Sequence, residues 1–373
     1  MKKKIISAGH ICIDITPVFP VNQKYSHLEE LLTPGKLVQV KAADVHTGGS
    51  VANTGLAFKI LGNDVRLMGK IGQDAFGGLV REILQRYHAA DGLLVCPDCS
   101  TSYSIVLSIP GIDRIFLHNP GANDTFCSTD IPDEALEDVD LFHFGYPTIM
   151  RKMYEDSGEE LAAIFHRVKQ KRAATSLDLS MVDPSSPAGK QDWKKILARV
   201  LPDVDFFVPS FEELCFMLDP AKYRALLKKA GNGSLTDVLD PESDVMPLAD
   251  TLMDMGCKIV LIKCGARGMY YRAAGKKVLK TVGSHIALDT EVWAGQEGFQ
   301  RSFKAPRILS ATGAGDTSIA AYLTAVLQGK PPARCAALAT AEGTCAITTY
   351  DALSGLLPLE TLEEKIDAGW EFE

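Results

Sequence analysis

Short β-rich runs alternate with longer amphipathic runs along most of this chain. The pattern predicts strands at residues 4–8, 65–69, 141–144, 175–179, 206–208 and 258–263, and helices at residues 50–61, 77–89, 158–172, 247–255, 316–328 and 333–347. Strands that alternate with helices build a doubly wound, mainly parallel sheet flanked by helices. Because 373 residues are many for one core and few for two full-sized domains, we expect one α/β domain over residues 1–373 with an appendage. Residues 281–304 follow neither pattern and are predicted to form a loop.

Three segments interrupt the alternation and predict the appendage. Two extended runs within residues 102–118 flank the sequence P-G-I-D at residues 110–113, which is typical of a β-hairpin turn. Further extended segments are predicted at residues 11–18 and 37–47, the second being clearest at 37–41. Strands inserted in this way suit a small β-sheet lid that covers a cleft and excludes water.

The late segment T-G-A-G-D-T at residues 312–317 places glycines and a carboxylate directly before a predicted helix. A helix that begins there directs the unpaired amides of Gly313, Ala314 and Gly315 at one point, which favours a phosphate or a developing negative charge. A carboxylate is a poor neighbour for a merely bound anion, but Asp316 is suited to take the proton of an attacking hydroxyl. The segment therefore indicates a kinase.

Three other interpretations of this segment compete. A plain turn before a helix needs only a glycine or two. A dinucleotide-binding fingerprint belongs in an early strand–turn–helix unit, whereas this segment comes late and has Ser318 in place of the third glycine. A P-loop requires Gly-Lys followed by Ser or Thr, and every Gly-Lys pair here is followed by another residue, so the P-loop is excluded.

Composition restricts the partners and the compartment. A net charge of −8, without a basic block interleaved with aromatic residues, argues against a nucleic-acid partner. No run reaches the length of a membrane span, and His10 and Asp14 interrupt the apolar run after the basic start, so we expect no membrane partner and a cytoplasmic location. The nine scattered cysteines predict reduced, buried thiols, and C-P-D-C at residues 96–99 is predicted to be a surface turn rather than a zinc site.

With these features in place, the chain resembles the PfkB (ribokinase-like) carbohydrate kinase family over nearly its whole length. The sequence S-A-T-G-A-G-D at residues 310–316 resembles the late family signature. The sequence G-G-S-V-A-N at residues 48–53 resembles the early one, although Val51 and Gly55 depart from its usual residues. Further matches in family order lie at residues 69–77, 120–123, 207–214 and 263–268. The resemblance implies a ribokinase-like fold with a small β-sheet lid.

The resemblance also implies roles for single residues. Asp316 would be the general base, with the amides of residues 313–315 around the transferring phosphoryl group. The residues that would bind the acceptor are Asp14, Gly48, Gly49, Asn53 and Asn123. Those that would bind the nucleotide are Ser210, Lys263, Gly265 and Gly268. Glu213 would hold Mg²⁺ through water. Ser310 replaces an aspartate that builds a monovalent-cation site in some relatives, which argues against potassium activation.

Several of these residues have structural alternatives. Gly48 and Gly49 allow close approach of the backbone to a sugar, and the amide of Asn53 offers a donor and an acceptor. Taken alone, however, Asn53 could be a helix-surface amide, Asp14 a strand-end cap, and Glu213 an exposed acid in the first turn of a helix.

The predicted function is an ATP-dependent kinase that phosphorylates a hydroxyl of a sugar or sugar derivative. A nucleoside kinase of the same fold and a catalytically weak nucleotide or metabolite sensor remain alternatives. The run H-F-G-Y at residues 143–146 lacks the polar or acidic residue common in several relatives, so sugar recognition on that side must differ. Arg114 is either an exposed turn cation or a clamp for a carboxylate or phosphate of the substrate. Exposed lid edges are consistent with a homodimer through the lid.

Overall fold

The structure, a computed structural model, describes residues 2–20, 25–112, 115–231 and 233–373. Its strands are β1 (Lys4–Gly9), β2 (Cys12–Thr16), β3 (Asp44–Gly48), β4 (Asp64–Gly72), β5 (Leu94–Cys96), β6 (Tyr103–Leu107), β7 (Ile115–Asn119), β8 (Leu141–Gly145), β9 (Ala174–Asp178), β10 (Phe206–Phe207), β11 (Ile259–Lys263), β12 (Gly268–Ala273) and β13 (Glu297–Arg301). Nine of them form a sheet in the order β13-β12-β11-β10-β9-β8-β1-β4-β5. Pairing is parallel from β11 through β5, whereas β12 and β13 add an antiparallel edge.

Helices cover both faces of this sheet. They are α1 (Ser50–Ile60), α2 (Ala75–Arg86), α3 (Arg151–Tyr154), α4 (Glu159–Gln170), α5 (Trp193–Val200), α6 (Phe211–Leu218), α7 (Pro220–Ala230), α8 (Leu235–Val238), α9 (Met246–Asp254), α10 (Lys276–Leu279), α11 (Thr290–Trp293), α12 (Ala314–Leu327), α13 (Pro332–Ala346) and α14 (Leu359–Asp367). Adjacent residues of β1, Ile5 and Ile6, enter different hydrophobic clusters because successive side chains of a strand point to opposite faces. The predicted doubly wound α/β class is confirmed.

The remaining strands form the lid, a four-stranded sheet in the order β3-β2-β6-β7. Two sets of side-chain to backbone hydrogen bonds hold the lid against the large sheet. The Asn123 side chain binds both the amide and the carbonyl of Ile11, at 3.3 and 2.9 Å. Asp74 accepts the Thr101 amide at 2.7 Å, just before β6 begins, and the Gly77 amide of α2 at 2.8 Å. The lid is therefore anchored where its strands leave the parallel sheet.

Two predicted segments differ from the structure. β3 lies at Asp44–Gly48, so the extended run at residues 37–41 forms no strand, and Leu37 is 83% exposed. The register explains this: Gly48 pairs with Cys12 and Asp44 with Thr16, so residues 37–41 lie beyond the end of β2. Residues 281–304 were predicted to form a loop, but they contain α11 and β13. The polar sequence of β13 carries little strand propensity, and pairing with β12 alone makes it a strand.

The C-P-D-C turn also corrects a prediction. Cys96 and Cys99 form a disulfide, with Cα atoms 5.4 Å apart, whereas we predicted reduced thiols throughout. The tight turn brings the two Cα atoms within bonding range. The remaining cysteines are free, and all but Cys127 are buried.

Arg114 lies outside the described residues, so both interpretations of it stay open. Within the described ranges, no helix combines the length and the apolar character that crossing a bilayer requires.

Glu342 in α13 gives a testable pH dependence of stability. The residue is fully buried; one carboxyl oxygen accepts the Leu357 amide at 3.0 Å, and the other has no partner among the described residues. Burial raises the pKa of Glu342 to about 8. Because the folded pKa lies above the unfolded one, stability falls as pH rises from the ordinary glutamate range through about 8. Glu342→Gln should remove this loss and, in urea unfolding at about pH 9, be more stable than the wild type by several kcal/mol, roughly 3–5.

Glu363→Gln is the matched control, with the opposite sign. Glu363 accepts hydrogen bonds from Lys330 and Arg334, and the bond from Lys330 is the main reason that its pKa is lowered. This variant should lose stability at neutral pH and approach the wild type as pH falls from the ordinary glutamate range to below it, through the lowered pKa of Glu363. An unchanged alkaline loss in Glu342→Gln would contradict the assignment to Glu342.

Candidate active site

Several strands of the large sheet end together at one edge. β8 ends at Gly145, β9 at Asp178 and β11 at Lys263. Since β1 lies between β4 and β8, the chain winds in opposite directions on its two sides. Such a switch point is where open α/β sheets bind ligands. The lid leaves the sheet here, and the His10 amide donates to the Gly145 carbonyl at 3.2 Å.

Asp316 lies at this edge, in the first turn of α12, and only 3% of it is exposed. Its carboxylate accepts hydrogen bonds from Asn53 Nδ2 at 3.0 Å and Thr54 Oγ1 at 3.1 Å, both in α1. The Tyr146 hydroxyl donates to the same group and lies 2.9 Å from each oxygen. Burial raises the pKa of Asp316, although these donors and the Lys263 charge oppose the shift. The carboxylate is thus a stronger base than an exposed aspartate.

The chain enters α12 through Gly313, whose φ of 74° lies in the left-handed region that favours glycine. The helix begins at Ala314, earlier than predicted. Amides of the first turn have no partner within the helix, although the Ala314 amide makes a long bond of 3.4 Å to the Ala311 carbonyl. A Cβ at Gly315 would lie 3.8 Å from Lys263 Nζ. The helix N-terminus and a cation therefore converge on one place, which suits an anion.

Lys263 lies among carboxylates. Its Nζ is 2.7 Å from Asp178 Oδ1, and both groups are largely buried. Burial alone would lower the pKa of Lys263, but Asp178, Glu213 and Asp316 together raise it. The lysine therefore stays protonated and supplies positive charge beside the first turn of α12.

Ser210 and Glu213 lie next to Lys263. The Lys263 amide donates to the Pro209 carbonyl at 2.9 Å, which places Ser210 beside the end of β11. The Ser210 side chain caps α6, and the Ser210 amide donates to the Glu213 carboxylate at 2.7 Å, so the two form a capping box. Glu213 is only 8% exposed, so the alternative interpretation of this residue as an exposed acid in the first turn of a helix is wrong. Gly265 lies further along, in the connection from β11 to β12, and Gly268 is the first residue of β12.

Polar side chains cross the lid in one row. Cross-strand pairing aligns His46 of β3 with Asp14 of β2, Asp14 with Ser104 of β6, and Ser104 with His118 of β7. Ser104 Oγ lies 3.0 Å from His118 Nδ1. Burial raises the pKa of Asp14, and the charge of Asp316 adds to this. We call this set the lid row; its member Asp14 lies close enough to the aspartate of α12 to feel its charge.

The glycine pair lies against the lid row. A Cβ at Gly48 would collide with the Asp14 carboxylate, and one at Gly49 would collide with the backbone and ring of His10. Both glycines therefore permit close packing at this edge. Asn123 is fully buried, and its amide binds the Ile11 backbone, a structural use that competes with the predicted substrate contact.

The structure therefore brings Asp14, Gly48, Gly49, Asn53, Ser210, Glu213, Lys263 and residues 313–316 to one edge. The sequence analysis missed Thr54, Asp178 and the polar partners of Asp14 in the lid row. Asp178 lies one residue before the end of the strand predicted at residues 175–179 and could have been found on that ground. Tyr146 was noted only as a departure from relatives, and no local pattern predicts its bond to Asp316.

Comparison with known proteins decides the family. The pfkB family carbohydrate kinase model matches residues 3–358. The chain belongs to this family. An uncharacterized sugar kinase of Archaeoglobus fulgidus is 22% identical, covering 79% of this chain and 96% of the relative. Fructokinase-2 of Solanum habrochaites is 24% identical, covering 87% of this chain and 81% of the relative.

A solved structure supports the same fold. The structure of Arabidopsis thaliana ribokinase complexed with ribose and ATP superposes with a TM-score of 0.70, at 17% identity and with 98% of each chain covered. The predicted family, the ribokinase-like fold and the assignment as a carbohydrate kinase, a phosphotransferase with an alcohol acceptor, are confirmed.

Proposed function

We propose that this carbohydrate kinase transfers the γ-phosphoryl group of ATP to a hydroxyl of a polyhydroxylated sugar or sugar derivative, with Asp316 as general base. The observation that carries the proposal is the buried Asp316 carboxylate, in the first turn of α12 beside Lys263 and facing Asp14 of the lid row. A base, an anion site and a polar acceptor surface are the parts that phosphoryl transfer to an alcohol requires.

The chemistry follows from these positions. The acceptor hydroxyl gives its proton to Asp316 while its oxygen bonds to the γ-phosphorus, and the bond from that phosphorus to ADP breaks. Amides of residues 313–315 and the Lys263 ammonium stabilise charge on the transferring group. Ser210, Gly265 and Gly268, with Lys263, are proposed to border the nucleotide.

Mg²⁺ fits the residues near Lys263. It binds proteins through one or two carboxylates, keeps several waters and takes phosphate oxygens. Glu213 supplies a buried carboxylate with one oxygen on the Ser210 amide, which leaves room for a contact through water. When bound, the ion neutralises charge on the nucleotide phosphates.

The lid row supports a sugar-like acceptor. Asp14 and Ser104 are adjacent across two strands, so neighbouring hydroxyls of one ring can pair with both. Histidines at each end of the row, His46 and His118, extend this polar surface. The exposed residues Val45 and Leu117 on the outer lid strands are consistent with a homodimer through the lid.

Replacement of the base tests the proposal. Asp316→Asn keeps the shape of the side chain but removes the proton acceptor, so kcat should fall by roughly 10²- to 10⁴-fold with ATP affinity nearly intact. Turnover would be measured on a panel of hexoses, pentoses, sugar acids and nucleosides, and ATP affinity by calorimetry. Asp289→Asn, at the N-cap of α11, is the control and should keep wild-type turnover. A folded Asp316→Asn protein with near-normal turnover would refute the assignment of the base.

Two lid aspartates test the acceptor surface. Asp14→Ala should lower kcat/KM for the best panel acceptor, because a charged hydrogen bond is lost. The loss of transition-state stabilisation should be roughly 1–3 kcal/mol, while ATP affinity barely changes. Asp44→Ala removes an exposed aspartate of the same sheet, which pairs with His46, and should have little effect. Equal losses of acceptor and ATP affinity in Asp14→Ala would place Asp14 outside the acceptor site.

A further inference from the structure

The Tyr146 hydroxyl is hydrogen-bonded to Asp316, the carboxylate proposed as general base. Its hydroxyl lies 2.9 Å from both carboxylate oxygens of Asp316, while Asn53 binds one oxygen and Thr54 the other. A phenol has one proton, so the two oxygens share it. An acceptor hydroxyl must donate to one of these oxygens in order to lose its proton to Asp316. The Tyr146 hydroxyl therefore stands where that acceptor hydroxyl is needed.

The backbone of Tyr146 is unusual. Its φ of 64° and ψ of 41° lie in the left-handed region, which is uncommon for a bulky residue. Its amide donates to the Asp178 carbonyl and its carbonyl accepts the Ile149 amide, both at 3.3 Å. These bonds hold the residue at the end of β8 while its side chain reaches α12. Such conformations persist where the surroundings stabilise them, and they concentrate at functional sites.

The surroundings also fix the chemistry of the phenol. Burial raises the pKa of Tyr146 well above its usual value, and the nearby charges of Asp316, Asp178 and Glu213 raise it further. The group is therefore a neutral donor and not a second base. Its ring centroid lies 6.3 Å from that of His10, beside the glycine pair, so the side chain borders the acceptor site.

We propose that Tyr146 is a positioning residue that holds Asp316 while the acceptor site is empty and gives way to the acceptor hydroxyl. This inference rests on the proposed role of Asp316 as general base. A water in the same place would give its proton to Asp316, its oxygen would bond to the γ-phosphorus, and ADP would leave, which wastes ATP. By filling the place, Tyr146 suppresses this hydrolysis until an acceptor displaces its hydroxyl.

Tyr146→Phe tests this, because it keeps the ring and removes the hydroxyl. With ATP and Mg²⁺ alone, ADP release should rise about tenfold or more over the wild type, since the competing bond to a charged group is gone. The KM of the panel sugar with the highest turnover should fall for the same reason. Tyr350→Phe, at a residue 74% exposed, is the control and should leave both values unchanged. Tyr146→Leu gives a second test without the aromatic ring.

The pH profiles separate a displaced residue from one that stays in place. Loss of a donor to the carboxylate raises the pKa of Asp316, so the acid limb of kcat/KM, which reports the free enzyme, should move to higher pH in Tyr146→Phe. The acid limb of kcat reports the bound complex and should not move, because the hydroxyl has already been displaced. The charged groups facing Asp316 from other elements stay unchanged in the variant: Lys263 of β11, Asp178 of β9 and Asp14 of β2.

Each outcome is decisive. Unchanged ADP release, or a shift of both limbs with a lower kcat, would overturn the role of Tyr146 while leaving Asp316 as base. Addition of Asp316→Asn to Tyr146→Phe should abolish the extra ADP release. If Asp316→Asn alone retained normal turnover, the proposed function and this inference would fail together.

Discussion

The contact between α1 and α12 governs the arrangement of this site. Asn53 and Thr54 of α1 bind the two oxygens of Asp316, although 263 and 262 residues separate the partners in sequence. The contact brings the early glycine pair, which precedes α1, beside the late turn that opens α12. Because the carboxylate is buried, loss of either donor would leave it poorly satisfied. One pair of hydrogen bonds thus joins the proposed acceptor side to the proposed phosphate side.

Charge balance in the site depends on one lysine. The chain carries a net charge of −8, and the proposed function requires an anionic nucleotide to approach an edge that already holds Asp178 and Asp316. Lys263 offsets these acids, and the N-terminus of α12 adds a positive dipole end. Positive charge is therefore concentrated at the start of α12, as the proposed nucleotide site requires, while the chain as a whole stays acidic. Strong nonspecific attraction for other polyanions is avoided in this way.

Much of the fold follows from local pattern, and the remainder from long-range pairing. The alternation of strands and helices and the glycine turn before α12 are encoded within a few residues each, so they were predictable. β13 was not predictable, because its polar sequence becomes a strand only by pairing with β12. The position of β3 depends on where Gly48 can pack against Asp14, a contact between distant segments. The bond from Tyr146 to Asp316 requires an unusual backbone conformation that its sequence does not announce.

The proposed mechanism depends on a raised pKa of the Asp316 carboxyl group. Carbon-13 NMR of protein labelled at the aspartate carboxyl measures this pKa directly. The resonance that disappears in Asp316→Asn is assigned to this residue and then titrated with pH in the free enzyme. Burial should hold its pKa above the ordinary aspartate value of 3.8. Titration at or below that value would contradict the account, because the carboxylate would then be solvated and no better a base than a surface aspartate.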